Sequence, residues 1–159
     1  MSVSVGQPVP DFSVAATGDQ TVQLPDLAGR WAVLYFYPRD NTPGCTLEGQ
    51  QFRGLHAQFL ALNAVVFGVS RDSLPRHDRF RAQHDFPFHL IADPDESLCQ
   101  LFAVIKLKKH YGKEALGVER STFLIDAHGV LRREWRKVKV DGHAAEVLAA
   151  VASLAELPA

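Results

Sequence analysis

The chain has 159 residues, 47% hydrophobic and 22% charged, with a formal net charge of -1. That length suits one domain with a substantial core, and that composition excludes a disordered, fibrous or low-complexity chain. A near-neutral charge gives no long-range field for nucleic acid or an anionic membrane, and no apolar run approaches the roughly 20 residues of a bilayer span. The opening Met1-Ser2-Val3-Ser4-Val5 lacks the basic and apolar regions of a secretion signal, so a cytoplasmic location is expected.

Residues 12–24 read as an edge hairpin, and Trp31-Ala32-Val33-Leu34-Tyr35-Phe36-Tyr37 as a strand buried on both faces and stopped by Pro38. The turn residues Asp40-Asn41-Thr42-Pro43-Gly44 then open a helix carrying Phe52, Leu55, Phe59 and Leu62 at helical spacing. Residues 65–69 form a second buried strand, a short helix follows Ser73, and a further strand lies around His89-Leu90-Ile91. Asp93-Pro94 predicts another helix with Pro94 in its first position. The polar stretch 106–119 shows no clear element and is expected to be a long connection. Residues 122–126 and 130–135 flank Ala127-His128-Gly129 as a hairpin, and Ala144, Val147, Leu148, Val151 and Leu154 mark a closing amphipathic helix. The alternation predicts an α/β fold, a three-layer domain with a mixed central sheet flanked by helices. Periodicity alone leaves a thioredoxin-like and a flavodoxin-like strand order both open.

Two cysteines, Cys45 and Cys99, are too few for a disulfide framework, which turns attention to reactivity. With Thr42 as N-cap and Pro43 as the first helical residue, Cys45 falls in the first turn of a helix that directly follows a buried strand. Unpaired backbone N–H groups there favour a negative charge such as a thiolate. A thiol of pKa about 8.5 is only slightly ionised at neutral pH, and bringing it to about 6 takes roughly 3.4 kcal/mol. A helix terminus supplies about 0.3 to 1 kcal/mol, so a neighbouring cation is called for. Arg39, Arg53 and Arg120 all suit, and sequence separation does not rank them. The Thr42 hydroxyl can cap the helix or donate toward a sulfur or a bound oxygen, and Gly44 would let a ligand approach the backbone. Glu48, one turn after Cys45, opposes ionisation of the thiol unless an arginine lies between them; otherwise it is an exposed helix residue.

Pro38-Arg39-Asp40-Asn41-Thr42-Pro43-Gly44-Cys45 resembles the peroxiredoxin signature of Pro, three residues, Thr or Ser, two residues and the peroxidatic cysteine. The longer string from Tyr35 through Glu48 is similar to the peroxiredoxin Q or bacterioferritin-comigratory-protein branch. Glu119-Arg120-Ser121-Thr122-Phe123-Leu124-Ile125-Asp126 resembles the segment bearing that family's active-site arginine. The likeness runs from Gly6-Gln7-Pro8-Val9-Pro10-Asp11-Phe12 to the last helix. It implies one thioredoxin-like domain over residues 1–159 and a thiol-dependent peroxidase acting on hydrogen peroxide and organic hydroperoxides. By the same resemblance, Cys45 attacks the peroxide and becomes a sulfenic acid, and Pro38 shields the site. Thr42 and the Cys45 N–H bind the peroxide, and Arg120 polarises sulfur and oxygen. Neither metal nor organic cofactor is implied, and the branch suggests a monomer.

Many members of the family carry a resolving cysteine five residues after the peroxidatic one, where this chain has Gln50. Others carry it in the next helix, where residues 71–85 hold none. Cys99 remains as a candidate, yet among Leu98, Leu101 and Phe102 it also reads as a core residue. A one-cysteine cycle with glutathione, glutaredoxin or thioredoxin as external reductant is expected, with a Cys45–Cys99 disulfide as the alternative. Two rival functions fit an α/β domain with a reactive cysteine. A thiol–disulfide oxidoreductase would carry Cys-x-x-Cys, but Thr42 holds the first position; a redox-switched binding module would oxidise without turnover. The 7 histidines show no metal-ligand spacing, and Lys106, Lys108, Lys109, His110 and Lys113 read as a solvated loop.

Overall fold

The computed structural model describes residues 3–155. Its strands are β1 (Ser13–Ala16), β2 (Gln20–Gln23), β3 (Trp31–Phe36), β4 (Ala64–Ser70), β5 (His89–Ala92), β6 (Ile105–His110), β7 (Lys113–Val118), β8 (Ser121–Ile125) and β9 (Leu131–Trp135). Its helices are α1 (Pro43–Ala61), α2 (Leu74–Gln83), α3 (Ser97–Leu101) and α4 (His143–Ala155). The main sheet runs in the order β2-β1-β5-β4-β3-β8-β9, while β6 and β7 form a separate two-stranded sheet. Strands β3, β4 and β5 are parallel, β8 and β9 run antiparallel beside β3, and the β1–β2 hairpin closes the other edge. Antiparallel β8 against β3 rules out the all-parallel flavodoxin-like order and leaves the thioredoxin-like one.

The apolar run of β3 is explained by burial on both sides. Its period of two sends Ala32, Leu34 and Phe36 into one core and Val33, Tyr35 and the following Tyr37 into the other. The second of these cores holds Phe52 and Phe59 of α1, Phe80 of α2 and Val147 and Val151 of α4, so these three helices share a face of the sheet. The opposite core holds Leu98 and Cys99 of α3 together with Phe102, Leu24 and Leu27. The result is the expected three layers, with the sheet as a wall between two separate hydrophobic clusters.

Two elements differ from the sequence expectation. The helix after Asp93 starts at Ser97, and Pro94 is not in it. Asp93 is instead a remote cap: its carboxylate accepts from Ser97 Oγ (3.1 Å), Leu98 N (3.0 Å) and Cys99 N (2.7 Å), while Glu96 takes a left-handed conformation at φ 63°. The 106–119 stretch is not a bare connection but most of the β6–β7 hairpin, in which Leu107 faces Leu116 and Lys109 faces Glu114 across the strands. It turns at Tyr111-Gly112, both at positive φ (51° and 78°), as a two-residue hairpin turn demands. Among the described residues, no helix is long and apolar enough to cross a membrane.

Gly68 of β4 lies under the ring of Tyr35. A Cβ at this position would come within 2.8 Å of Tyr35 Cζ, Tyr35 Oη and Leu90 Cδ2, and both of these side chains are buried in the core. Gly68→Ala should therefore lower stability by about 1–3 kcal/mol through overpacking. Chemical denaturation checks this, and an unchanged midpoint would mean that the Tyr35 layer can relax.

Candidate active site

Strand β3 ends at Phe36, and the chain crosses residues 37–42 to enter α1. Thr42 is the N-cap residue, with φ −87° and ψ 155°, and Pro43 takes the first helical position, where a missing N–H costs nothing. Cys45 thus sits in the first turn, as expected. Its residue is 2% exposed, and it begins an inward-facing stripe of α1 that continues through Glu48, Gly49 and Phe52.

Arg120 reaches this stripe from the sheet. Ser121 pairs with Phe36, so the antiparallel β8 begins where β3 ends and places the residue before it beside the start of α1. The strand period then turns Arg120 to the same side as Thr122 and Leu124, facing the helices. The backbone is pinned there by Val138 N, which donates to the Arg120 carbonyl at 3.0 Å. The guanidinium is shared: Nη2 donates to Cys45 Sγ at 3.4 Å, and Nη1 donates to Glu48 Oε1 at 2.5 Å. Of the three arginines left open by the sequence, the structure brings only this one to the sulfur. Arg53 donates to the His84 carbonyl at 2.8 Å, and Arg39 is exposed along a groove that also includes Pro38, Arg71 and Pro94.

Gly44 packs against the same cation, since a Cβ on it would lie 3.2 Å from Arg120 Nη2. Glu48 is fully buried, and its Oε2 has no hydrogen-bond partner among the described residues. Burial pushes its carboxyl up to about 7 against the opposing pull of Arg120. Glu48 is therefore an interior partner of Arg120 rather than an exposed helix residue. Arg120 in turn is held above its ordinary value: its own burial works against this, but Glu48 and Cys45 outweigh it.

Thr42 does not cap α1 with its side chain; the hydroxyl donates to the Arg39 carbonyl at 3.1 Å. That commits its hydrogen and leaves the oxygen lone pairs open as acceptors. Pro38 is half-buried at the start of the same loop. Cys99 is fully buried in the cluster on the far side of the sheet from Cys45, and its thiol is pushed far up by burial and by its bond to Asp93.

Sequence reading missed a buried polar cluster beneath the loop. Asp40, expected only as a turn residue, accepts from Tyr37 Oη (2.6 Å) and contacts His77 Nδ1 (2.6 Å), while its N–H donates to Asp72 Oδ2 (2.8 Å). The signal was present in α2, where His77 precedes Phe80 by three residues and both face the core. Ligand atoms of Asp40, Asp72 and His77 lie within 4.8 Å of one another. Each is already used: Asp72 also holds Ser70 Oγ (2.5 Å) and Arg76 (3.2 Å), and His77 Nε2 lies 3.0 Å from the Ile91 carbonyl. The cluster is a closed hydrogen-bond network.

The chain matches the AhpC/TSA family over residues 5–134. It is 48% identical over 156 residues to a peroxiredoxin Bcp of Bacillus subtilis, covering 98% of this chain and 99% of that one. A peroxiredoxin Bcp of Xanthomonas campestris is 50% identical over 141 residues, covering 89% and 88%. Among solved structures, a bacterioferritin comigratory protein of Xanthomonas campestris, studied for its alkyl peroxide reduction activity, superposes with a TM-score of 0.91 at 46% identity, covering 96% of this chain and 100% of that one. A peroxiredoxin Q mutant of Xylella fastidiosa superposes with a TM-score of 0.92 at 43% identity, covering 98% and 99%.

Ionised Glu48 opposes a second negative charge on Cys45, because both draw on one guanidinium. Near and just above the Glu48 ionisation at about 7, alkylation of Cys45 by iodoacetamide should therefore be slower in wild type than in Glu48→Gln. The difference should shrink below about pH 6, where Glu48 is protonated in wild type. Equal rates throughout would show that Glu48 does not act on Cys45.

Proposed function

The chain belongs to the AhpC/TSA family, in the branch of peroxiredoxin Bcp and peroxiredoxin Q, whose members are thiol peroxidases, and we propose that it reduces hydrogen peroxide and organic hydroperoxides with Cys45 as the peroxidatic residue. The observation that carries this reading is the shared guanidinium of Arg120, 3.4 Å from a sulfur in the first turn of α1. A cation and the free amides of a helix terminus together favour the thiolate.

The thiolate attacks the terminal oxygen of the peroxide. An S–O bond forms as the O–O bond breaks, and the sulfur electron pair passes to the departing oxygen, which takes a proton and leaves as water or an alcohol. Cys45 is left as a sulfenic acid. Arg120 spans the sulfur and the oxygen that gains charge, so its pull on both grows along the reaction. The Thr42 oxygen, its own hydrogen committed to Arg39, accepts from the peroxide O–H and turns the molecule for in-line attack. Pro38 and Gly44 shape the approach, the first by excluding water and the second by leaving space beside the guanidinium.

An external thiol completes the cycle. Its sulfur attacks the sulfenic sulfur, water is released, and a second thiol frees Cys45 from the mixed disulfide. The burial of Cys99 behind the sheet, with its thiol pushed up, supports this over an internal bridge. A small thiol, glutaredoxin or thioredoxin fills the role. As the family likeness implies, the functional unit is one domain over residues 1–159, working as a cytoplasmic monomer.

One equivalent of hydrogen peroxide should raise the intact mass of both wild type and Cys99→Ser by about 16 Da, followed by a mixed disulfide on adding glutathione. Cys45→Ser should stay unmodified and lose turnover by at least a thousandfold. Substantial residual turnover in Cys45→Ser contradicts the assignment, and a wild-type loss of about 2 Da would mean that Cys99 resolves Cys45.

A further inference from the structure

We propose that His77, on α2, is a positioning residue for peroxide reduction, acting through Asp40 to hold the loop that presents Thr42. This rests on the proposed peroxidase reading of the Cys45 site and adds to it a residue outside that site.

The loop between β3 and α1 has little to hold it by itself. It includes Pro38, which lacks an N–H, and Asn41 at φ 66°, a conformation that most residues avoid. Its fixed point is Asp40, which is 3% exposed while its neighbours Arg39 and Asn41 are exposed. The Asp40 N–H is taken by Asp72, one carboxylate oxygen by Tyr37 Oη and the other by His77 Nδ1. Thr42 follows two residues later, and its hydroxyl bonds back to Arg39, directly before Asp40. A shift of Asp40 therefore carries both ends of the Thr42 hydrogen bond with it.

His77 is well suited to resist such a shift. Its side chain is fully buried, and both ring nitrogens face acceptors: Nδ1 meets Asp40 Oδ2 at 2.6 Å, and Nε2 meets the Ile91 carbonyl of β5 at 3.0 Å. The nearby Ser70 hydroxyl, 3.4 Å from Nε2, is directed to Asp72 at 2.5 Å and does not replace the carbonyl as its partner. The imidazole is thus a fixed strut from the central sheet to the loop, anchored at Ile91 and pressing on Asp40. Cys45 and Arg120 lie outside this network: the sulfur is placed by α1, and the guanidinium by β8 and Glu48. Peroxide alignment needs Thr42, whereas alkylation of the thiolate by iodoacetamide does not, so the two reactions separate loop position from sulfur reactivity.

The experiment compares both rate constants in His77→Leu, which removes the imidazole and both of its polar contacts, and His77→Gln, whose amide can still donate to Asp40. In His77→Leu the second-order rate constant for hydrogen peroxide should fall at least tenfold while iodoacetamide alkylation stays within twofold of wild type. His77→Gln should recover most of the loss. A parallel fall in both rates, no fall in the peroxide rate, or no recovery with Gln overturns the proposal. If His77→Leu does not fold, Tyr37→Phe removes one bond to Asp40 and keeps the imidazole. The peroxide rate should then drop two- to fivefold with alkylation unchanged, and an unaltered peroxide rate overturns the proposal. Should wild type itself fail to turn over peroxide, the peroxidase reading fails; a wild-type peroxidase insensitive to His77 and Tyr37 removes only the strut.

Discussion

One guanidinium serves two acidic partners, and most of the site follows from how its charge is divided. If Glu48 were freely ionised, Arg120 would be neutralised beside it and would offer little to the sulfur. Burial makes that ionisation costly, as the carboxyl value of about 7 records, so part of the positive field remains for Cys45. A buried ion pair adds little net stability, because desolvation of both groups offsets their attraction. Its use here is electrostatic placement, and the sheet topology makes that placement possible. Because β8 runs antiparallel to β3, Arg120, the residue just before β8, falls next to the N-terminus of α1.

The end of β3 also leads into the polar cluster. Tyr37 extends β3 past its last paired residue into the helix-side core, and Asp40 folds back beneath it to meet α2. The loop bearing Pro38 and Thr42 is therefore tied at its base to two secondary elements. The site is thus assembled from a helix terminus, a strand start and a clamped loop.

Much of this was readable from the residues. The doubly buried β3, the Thr42-Pro43 helix start and the alternating β8–β9 hairpin all carried strong local signals, and the peroxiredoxin likeness singled out Arg120. What escaped reading lacked a local signature. The ranking of Arg39, Arg53 and Arg120 depends on strand order, which periodicity does not encode. The β6–β7 hairpin turns on Tyr-Gly rather than Asn-Gly and exposes Leu107 and Leu116, so neither turn chemistry nor one-sided burial announced it. The start of α3 was misplaced because Asp93 caps at a distance, across a turn that Pro94 only appeared to open. His77 and Asp40 lie far apart in sequence, and each has an ordinary local explanation.

The wall that the sheet builds between Cys45 and Cys99 has a kinetic outcome. In the proposed one-cysteine cycle, the lifetime of oxidised Cys45 is set by collision with the external thiol and therefore by the concentration of that reductant. A second peroxide competes for the same sulfur by the same second-order law, driving it to the sulfinic state. Under that proposal, the ratio of thiol to oxidant around the protein decides between cycling and inactivation of the sulfur.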